Sequence, residues 1–315
     1  MKVDELLERA KSVAIFAHVH PDGDAIGSSL GLYNYIRGNY PDIRVKVFAE
    51  AFPEKFRILP GADKIESEYD GEIFDLAFLL DTSSMDRIGA KGAECLEKAK
   101  RTCNIDHHES NPRNLCGTNI VEPESSAASE TLYTLLSPEK IDRNAANCLY
   151  LGIVHDTGAF KFSNTRKRTM DIVGNLIDKG CDFSRIINET FYTRSLTATR
   201  ITGLAMERCK LALGGKAAYT FVTKEDLERF DATPLDLASV IDAIREVSGT
   251  ETAIFLYPND SGYKISLRSN YTVDVNRVAK EFGGGGHVRA AGASTKENPE
   301  TAIPKILEQV QKQLS

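Results

Sequence analysis

Four short β-prone runs, at residues 13–19 (VAIFAHV), 44–49 (RVKVFA), 74–81 (FDLAFLLD) and 102–106 (TCNID), alternate with segments of helical character. Parallel neighbours cannot be joined by a tight turn and need a crossover, so this alternation predicts an α/β fold with a parallel sheet and helices on both faces. Three of the runs end at an acid or a histidine: His18, Asp81, and Asp106 followed by His107. Open parallel sheets bind ligands in the crevice at the carboxyl ends of their strands, which is where these residues are predicted to converge.

Beyond residue 125 the pattern turns helical through SSAASETLYTLL, AANCLYLGIVHDTGAF and TRKRTMDIVGNLIDKG, closing a first lobe over residues 1–190. The hydroxyl-rich stretch FYTRSLTAT and the helix ITGLAMERCKLAL are read as a connection over 191–214. Residues 215–315 then read as a smaller α/β domain: a strand (AAYTFV), a helix (DLASVIDAIREV), two strands (TAIFLYP and YKISLRS), a helix (VNRVAKEF), a glycine run and a last helix. A chain of 315 residues suits two domains better than one.

Acids outnumber bases 45 to 39, for a formal net charge of -6. That balance argues against a groove tracking a long nucleic acid, while a few placed cations could still hold a small anion. The six cysteines lie scattered with no C-x-x-C pair, so neither a zinc ribbon nor a disulfide framework is expected. There is no apolar run of about 18 residues, and acids stand where a secretory signal would have a basic flank. A cytoplasmic protein with no membrane partner is the expectation.

Four segments share one chemical character: AHVHPDGD (17–24), LLDTSSMDRIG (80–89 with its flank), NIDHHESN (104–111) and GIVHDTGAF (152–160), and together they hold five of the six histidines. Taken alone, the Pro21-Asp22-Gly23-Asp24 stretch is good turn chemistry. Repeated across four segments, carboxylates and imidazoles without thiolates suit Mn²⁺, Fe²⁺ or Mg²⁺ more than a structural zinc. Carboxylates gathered at one point repel and protonate unless a cation neutralises them. Two cations fit this many side chains better than one, since a pair can share a carboxylate, acidify a water to a pKa of about 7 and clamp a phosphorus centre. Phosphoester hydrolysis is the chemistry implied.

In order along the chain, HVHPDGDAIGS, the strand-end Asp81, the triplet Asp106-His107-His108 and the Asp of GIVHDTGAF resemble the four motifs of the DHH phosphoesterase superfamily. The later GGGGHVRAAGA resembles the signature of the DHHA1 domain, and the two resemblances span nearly the whole chain. Length and domain pairing are most similar to the stand-alone oligoribonucleases, or nanoRNases, that also act as pAp phosphatases. The resemblance implies an active site in the cleft between a DHH domain and a DHHA1 substrate-binding domain. It implies one metal on Asp24, Asp81, His107 and Asp156 and a second on His18, Asp22 and Asp81, with two Mn²⁺ ions the expected cofactor and Mg²⁺ or Fe²⁺ as alternates. His108 is then expected to meet the phosphate or leaving group, and Asp106 to orient His107 from behind. His20 and His155 match no ligand position and are read as hydrogen-bonding neighbours, and Asp86 as a cap or surface ion pair.

A run of four glycines is commonly a linker, and this one lacks the GK[ST] ending of a P-loop. The small residues that follow it argue instead for close approach of backbone to a ligand, with N–H groups of Gly284, Gly285 and Gly286 cradling a phosphate and His287 donating to it. Arg268, ending YKISLR beside Ser269, is the candidate phosphate clamp, and Arg289 a weaker one. Expected partners are short RNA oligonucleotides or nucleotides as substrate, with no long duplex, and a homodimer is a permitted assembly. The alternative substrates are linear or cyclic dinucleotides. A manganese pyrophosphatase is disfavoured because its Arg-Lys-Lys cluster has no counterpart here, and a catalytically dead sensor because all six ligand positions are intact.

Overall fold

The computed structural model of the protein describes residues 2–314, and these divide into two compact units at Thr193 and Arg194. In the first unit, β1 (Ser12–Phe16), β2 (Arg44–Phe48), β3 (Ile65–Glu66), β4 (Leu76–Leu80), β5 (Thr102–Asp106) and β6 (Thr118–Val121) form one sheet in the order β3-β2-β1-β4-β5-β6. Every neighbouring pair in it is parallel. The helices of this unit are α1 (Val3–Leu7), α2 (Gly23–Asn39), α3 (Gly89–Lys98), α4 (Ala128–Leu135), α5 (Arg143–Asp156), α6 (Lys167–Asp178) and α7 (Phe183–Ile187).

The central strands are apolar on both sides because both are covered. Val13 and Ile15 of β1, with Leu76, Phe78 and Leu80 of β4, join the large core containing α2 and α5. Their alternates Ala14, Phe16, Ala77 and Leu79 pack on the other side with Cys95 and Leu96 of α3. A strand buried on both faces reads as a continuous hydrophobic run, which is why VAIF and LAFLL were legible. The strand order reverses between β1 and β4, so loops leaving their carboxyl ends part and open a crevice. His18 follows β1 there and Asp81 follows β4.

One helix contact brings further groups to that crevice. Gly23, Gly27 and Gly31 lie four residues apart along α2 and face α5. A Cβ on Gly27 would stand 2.6 Å from the Gly152 nitrogen and 2.7 Å from the Cys148 carbonyl oxygen. A Cβ on Gly152 would collide with Ser129 Oγ and Asp24 Oδ1. The two helices therefore run backbone against backbone, and α5 delivers Asp156, its last residue, beside the start of α2.

In the second unit, β7 (Lys210–Ala212), β8 (Ala217–Phe221), β9 (Thr252–Asn259), β10 (Gly262–Ser269), β11 (Gly285–His287) and β12 (Ala290–Thr295) form a sheet in the order β11-β12-β10-β9-β8-β7. Its pairs are antiparallel except β8 with β9. Ile265 and Leu267 of β10 pack into one core with α11 (Val275–Lys280) and α12 (Pro299–Leu314). Ala253 and Phe255 of β9 pack into another with α8 (Leu196–Glu207) and α10 (Ala238–Arg245), and α9 (Lys224–Phe230) completes the helices. Strands β3, β6, β7, β11 and β12 carry no strand signal in the sequence pattern. They are short or built from glycine and alanine, residues with little strand preference, and pairing alone makes them strands.

Because the α2–α5 contact has no room for a methyl group, Gly27→Ala is expected to destabilise the first unit by about 1–3 kcal/mol. A urea unfolding midpoint unchanged from wild type would show that the helices can part without cost.

Candidate metal centre

The HPDGD stretch forms the start of a helix. Asp22 is the N-cap of α2, its carboxylate accepting the N–H groups of Asp24 at 3.0 Å and Ala25 at 3.1 Å. Asp24, in the first turn and fully buried, accepts instead from the backbone of the α4 start, at Ala128 and at Ser129 (3.0 Å). Asp81 sits at φ +53°, in the left-handed region that an aspartate tolerates better than most residues, and its N–H donates to the Ile105 carbonyl. That turn aims its carboxylate into the crevice.

His18 Nε2 lies 3.5 Å from Asp81 Oδ2 and 3.8 Å from Asp22 Oδ2. His107 Nε2 lies 3.1 Å from Asp156 Oδ2 and 3.5 Å from Asp81 Oδ1. Three sets, namely His18-Asp22-Asp81, Asp24-His107-Asp156 and Asp81-His107-His108, each bring their ligand atoms within 4.8 Å of one another. The structure thus gathers all six residues expected from the motifs, and Asp81 belongs to two of the sets.

A test of whether a cation fits comes from the carboxylates. Asp81 Oδ1 is buried and accepts no hydrogen bond among the described residues. Burial pushes the Asp24 carboxyl well above its ordinary range, and the charges of Asp81 and Asp156 push it further. Burial raises Asp156 too, against the pull of His107. Burial would lower both imidazoles, yet Asp22 and Asp81 raise His18 to about 10, and Asp156 and Asp81 raise His107 to about 12. Such a site stores protons where it lacks cations, and an oxygen-rich set with two imidazoles suits a divalent metal.

Asp106 does not orient His107, contrary to the motif-based expectation. Its Oδ1 lies 2.7 Å from His108 Nδ1, while His107 Nδ1 lies 3.4 Å from the Ser125 carbonyl oxygen. Along extended chain residues i and i+2 point the same way and i+1 the opposite way, so Asp106 meets His108. Asp106 is itself held through Oδ2 by Asn111 Nδ2 at 2.7 Å, and Asn111 is braced on Asn104 Oδ1 at 2.8 Å. Burial would raise the Asp106 carboxyl, but His108 and Asn111 hold it below its usual value.

His20 and His155 lie outside the cluster. His20 is exposed and pairs with Glu50, while the His155 ring packs edge-on against Phe56 and Phe191, where burial pushes its pKa down to about 4. Sequence reasoning missed Arg87, whose Nη2 stands 3.0 Å from His18 Nδ1. It also missed the glycines of α2, although their spacing of four was readable.

In the second unit, Arg268 pairs with Ala290 and Ala290 with His287, so the three occupy one cross-strand row and share a face of the sheet. Arg268 donates to the Leu267 carbonyl and has no carboxylate partner among the described residues. Ser269 is buried, its hydroxyl engaged with the Val288 carbonyl and Arg289. The glycine run is a hairpin arm: a Cβ at Gly286 would stand 2.5 Å from the Ala290 carbonyl oxygen, and the Gly284 N–H already donates to the Ala279 carbonyl. Gly284 therefore has no free N–H for a phosphate, and Gly285 and Gly286 line the exposed edge strand.

Residues 12–153 match the DHH family, N-terminal domain, and residues 214–315 match the DHHA1 domain. The bifunctional oligoribonuclease and PAP phosphatase NrnA of Bacillus subtilis is 31% identical over 290 residues, covering 90% of this chain and 89% of that protein. The protein of the same name from Thermus thermophilus is 29% identical, covering 99% of this chain and 94% of its own. The crystal structure of an exopolyphosphatase-related protein from Bacteroides fragilis superposes with a TM-score of 0.89 at 30% identity, covering 98% of this chain and 94% of that one. The chain belongs to the DHH phosphoesterases that carry a DHHA1 domain.

Metal binding should release protons. His18 and His107, raised to about 10 and about 12, are protonated at neutral pH in the metal-free protein and must lose those protons to become ligands. Apparent Mn²⁺ affinity is therefore expected to rise with pH between about 6 and 8, about tenfold per unit for each proton displaced. Calorimetric titration in two buffers of different ionisation enthalpy measures the release. Buffer-independent heats with a flat pH profile would contradict it.

Proposed function

We propose that the chain hydrolyses RNA of about two to five nucleotides to mononucleotides, its few phosphate partners limiting it to short strands, and that it removes the 3′-phosphate of pAp to give AMP. The observation that carries this reading is the buried Oδ1 of Asp81, which accepts no hydrogen bond among the described residues, in a carboxylate shared by two ligand sets. The names of the Bacillus subtilis and Thermus thermophilus relatives support the substrate class. Asp24, Asp81, His107 and Asp156 would hold one cation and His18, Asp22 and Asp81 a second, preferably Mn²⁺. Bound there, divalent cations supply Lewis acidity toward a phosphoryl oxygen and lower the pKa of a water to about 7.

The chain's own groups do the rest. Water adds to phosphorus in line and gives up one proton to solvent, the bond to the ribose oxygen breaks, and the electron pair leaves on that oxygen. His108, held through Nδ1 by Asp106, gives it a proton from Nε2. Arg87, beside His18, adds positive charge for the phosphoryl oxygens. Arg268 and His287, which share one face of the second sheet, are the candidate phosphate-binding groups of the second unit.

Asp81→Ala is expected to cost at least about a thousandfold in kcat, since both cations lose a ligand. Near-normal turnover by that variant would remove the shared-carboxylate reading. With a net charge of -6, longer strands gain no partners, so single-turnover rates on 5′-labelled RNA from two to about 24 nucleotides should fall with length. Rates that hold or rise with length would point to a long-strand exonuclease instead.

A further inference from the structure

Beside the metal centre the first unit holds a cavity of about 440 Å³ at the carboxyl ends of β1 and β2. Small-molecule sites run from roughly 300 to 1,000 Å³ and combine apolar walls with a few polar groups. Here Phe16 and Phe48, stacked with ring centroids 4.7 Å apart, and Tyr69, edge-on to both, supply the aromatic wall. Gly89 and Gly92 at the start of α3 keep the opposite wall low.

The cavity and the metal centre share one seam. Val19 donates its N–H to the Arg87 carbonyl at 2.6 Å, joining the loop after β1 to the loop after β4. His18 and the Arg87 guanidinium meet in the metal cluster, while the next residues, Val19 and Ile88, line the cavity. Consecutive residues of both loops thus divide between the cluster and the cavity.

Charge decides which part of the ligand enters. Glu50 and Glu68 are the acids of the rim, and its lysine, Lys91, is paired with Glu68. A phosphate would be repelled there, whereas a flat neutral ring gains the apolar wall and its exocyclic amine can donate to a carboxylate. We infer that this cavity is a nucleobase pocket, which seats an amine-bearing base of the nucleotide whose phosphate lies at the metal centre. The inference deepens the proposed function and takes its substrate class from it.

The chain contains no tryptophan, so Ala90→Trp, an exposed rim position, places a single indole beside the pocket. AMP is expected to quench its fluorescence saturably, with ribose 5-phosphate binding at least tenfold more weakly. A second variant, Ala51→Trp, fills the opposite rim; the ratio of kcat/KM for pAp to that for the same bisphosphate lacking the base should fall at least tenfold, with Tm and Mn²⁺ affinity unchanged. Equal quenching by the two ligands, no quenching, or an unchanged ratio would overturn the pocket. Base-dependent quenching in a protein that hydrolyses neither pAp nor short RNA would leave the pocket standing and remove the proposed substrates.

Discussion

Like charges held together away from water govern this structure. Asp81 and Asp156 raise the cost of ionising Asp24, Asp81 raises that of ionising Asp156, and Asp24 and Asp81 are almost entirely out of solvent. Two carboxylates about 4 Å apart repel by roughly 4 kcal/mol at the effective dielectric typical of proteins. Only a compensating positive charge makes such a gathering tolerable, be it a proton shared with His18 and His107 or a divalent cation. The surrounding fold is arranged to hold the carboxylates in place against that repulsion.

Three devices do the holding. The glycine contact between α2 and α5 lets Asp24 and Asp156 approach from two helices that ordinary side chains would keep further apart. Backbone N–H groups at the starts of α2 and α4 fix Asp22 and Asp24 without adding mobile side chains. The chain from Asn104 through Asn111 to Asp106 braces His108 from below, and Asn104 in turn donates to the Leu79 and Thr82 carbonyls on either side of Asp81. In the second unit a single carboxylate has a comparable role: Glu251 accepts the N–H groups of Tyr271, Thr272 and Val273, pinning the loop that follows Arg268 and Ser269. Preorganisation of this kind spares the site the cost of ordering its groups when substrate arrives.

The position of the centre follows from topology. A parallel sheet whose strand order reverses between β1 and β4 must open a crevice there, and the residues leaving those two strands, His18 and Asp81, supply ligands from both sides of it. The bond from Val19 to Arg87 ties together the loops that leave those two strands.

The amino-acid sequence by itself determined the α/β class, the central strands and the six carboxylates and imidazoles of the cluster, because buried parallel strands read as unbroken apolar runs and ligand residues sit directly at their ends. It did not disclose which neighbour supports which ligand. Asp106 turns to His108 because of the alternation of extended chain, Arg87 reaches His18 through a loop-to-loop bond, and Gly284 spends its N–H on Ala279. Nor did it reveal strands such as Gly285–His287, whose residues have no preference for extended structure. Those outcomes depend on contacts between segments far apart in the chain, and the energy of such a contact exists only once the partners have been brought together.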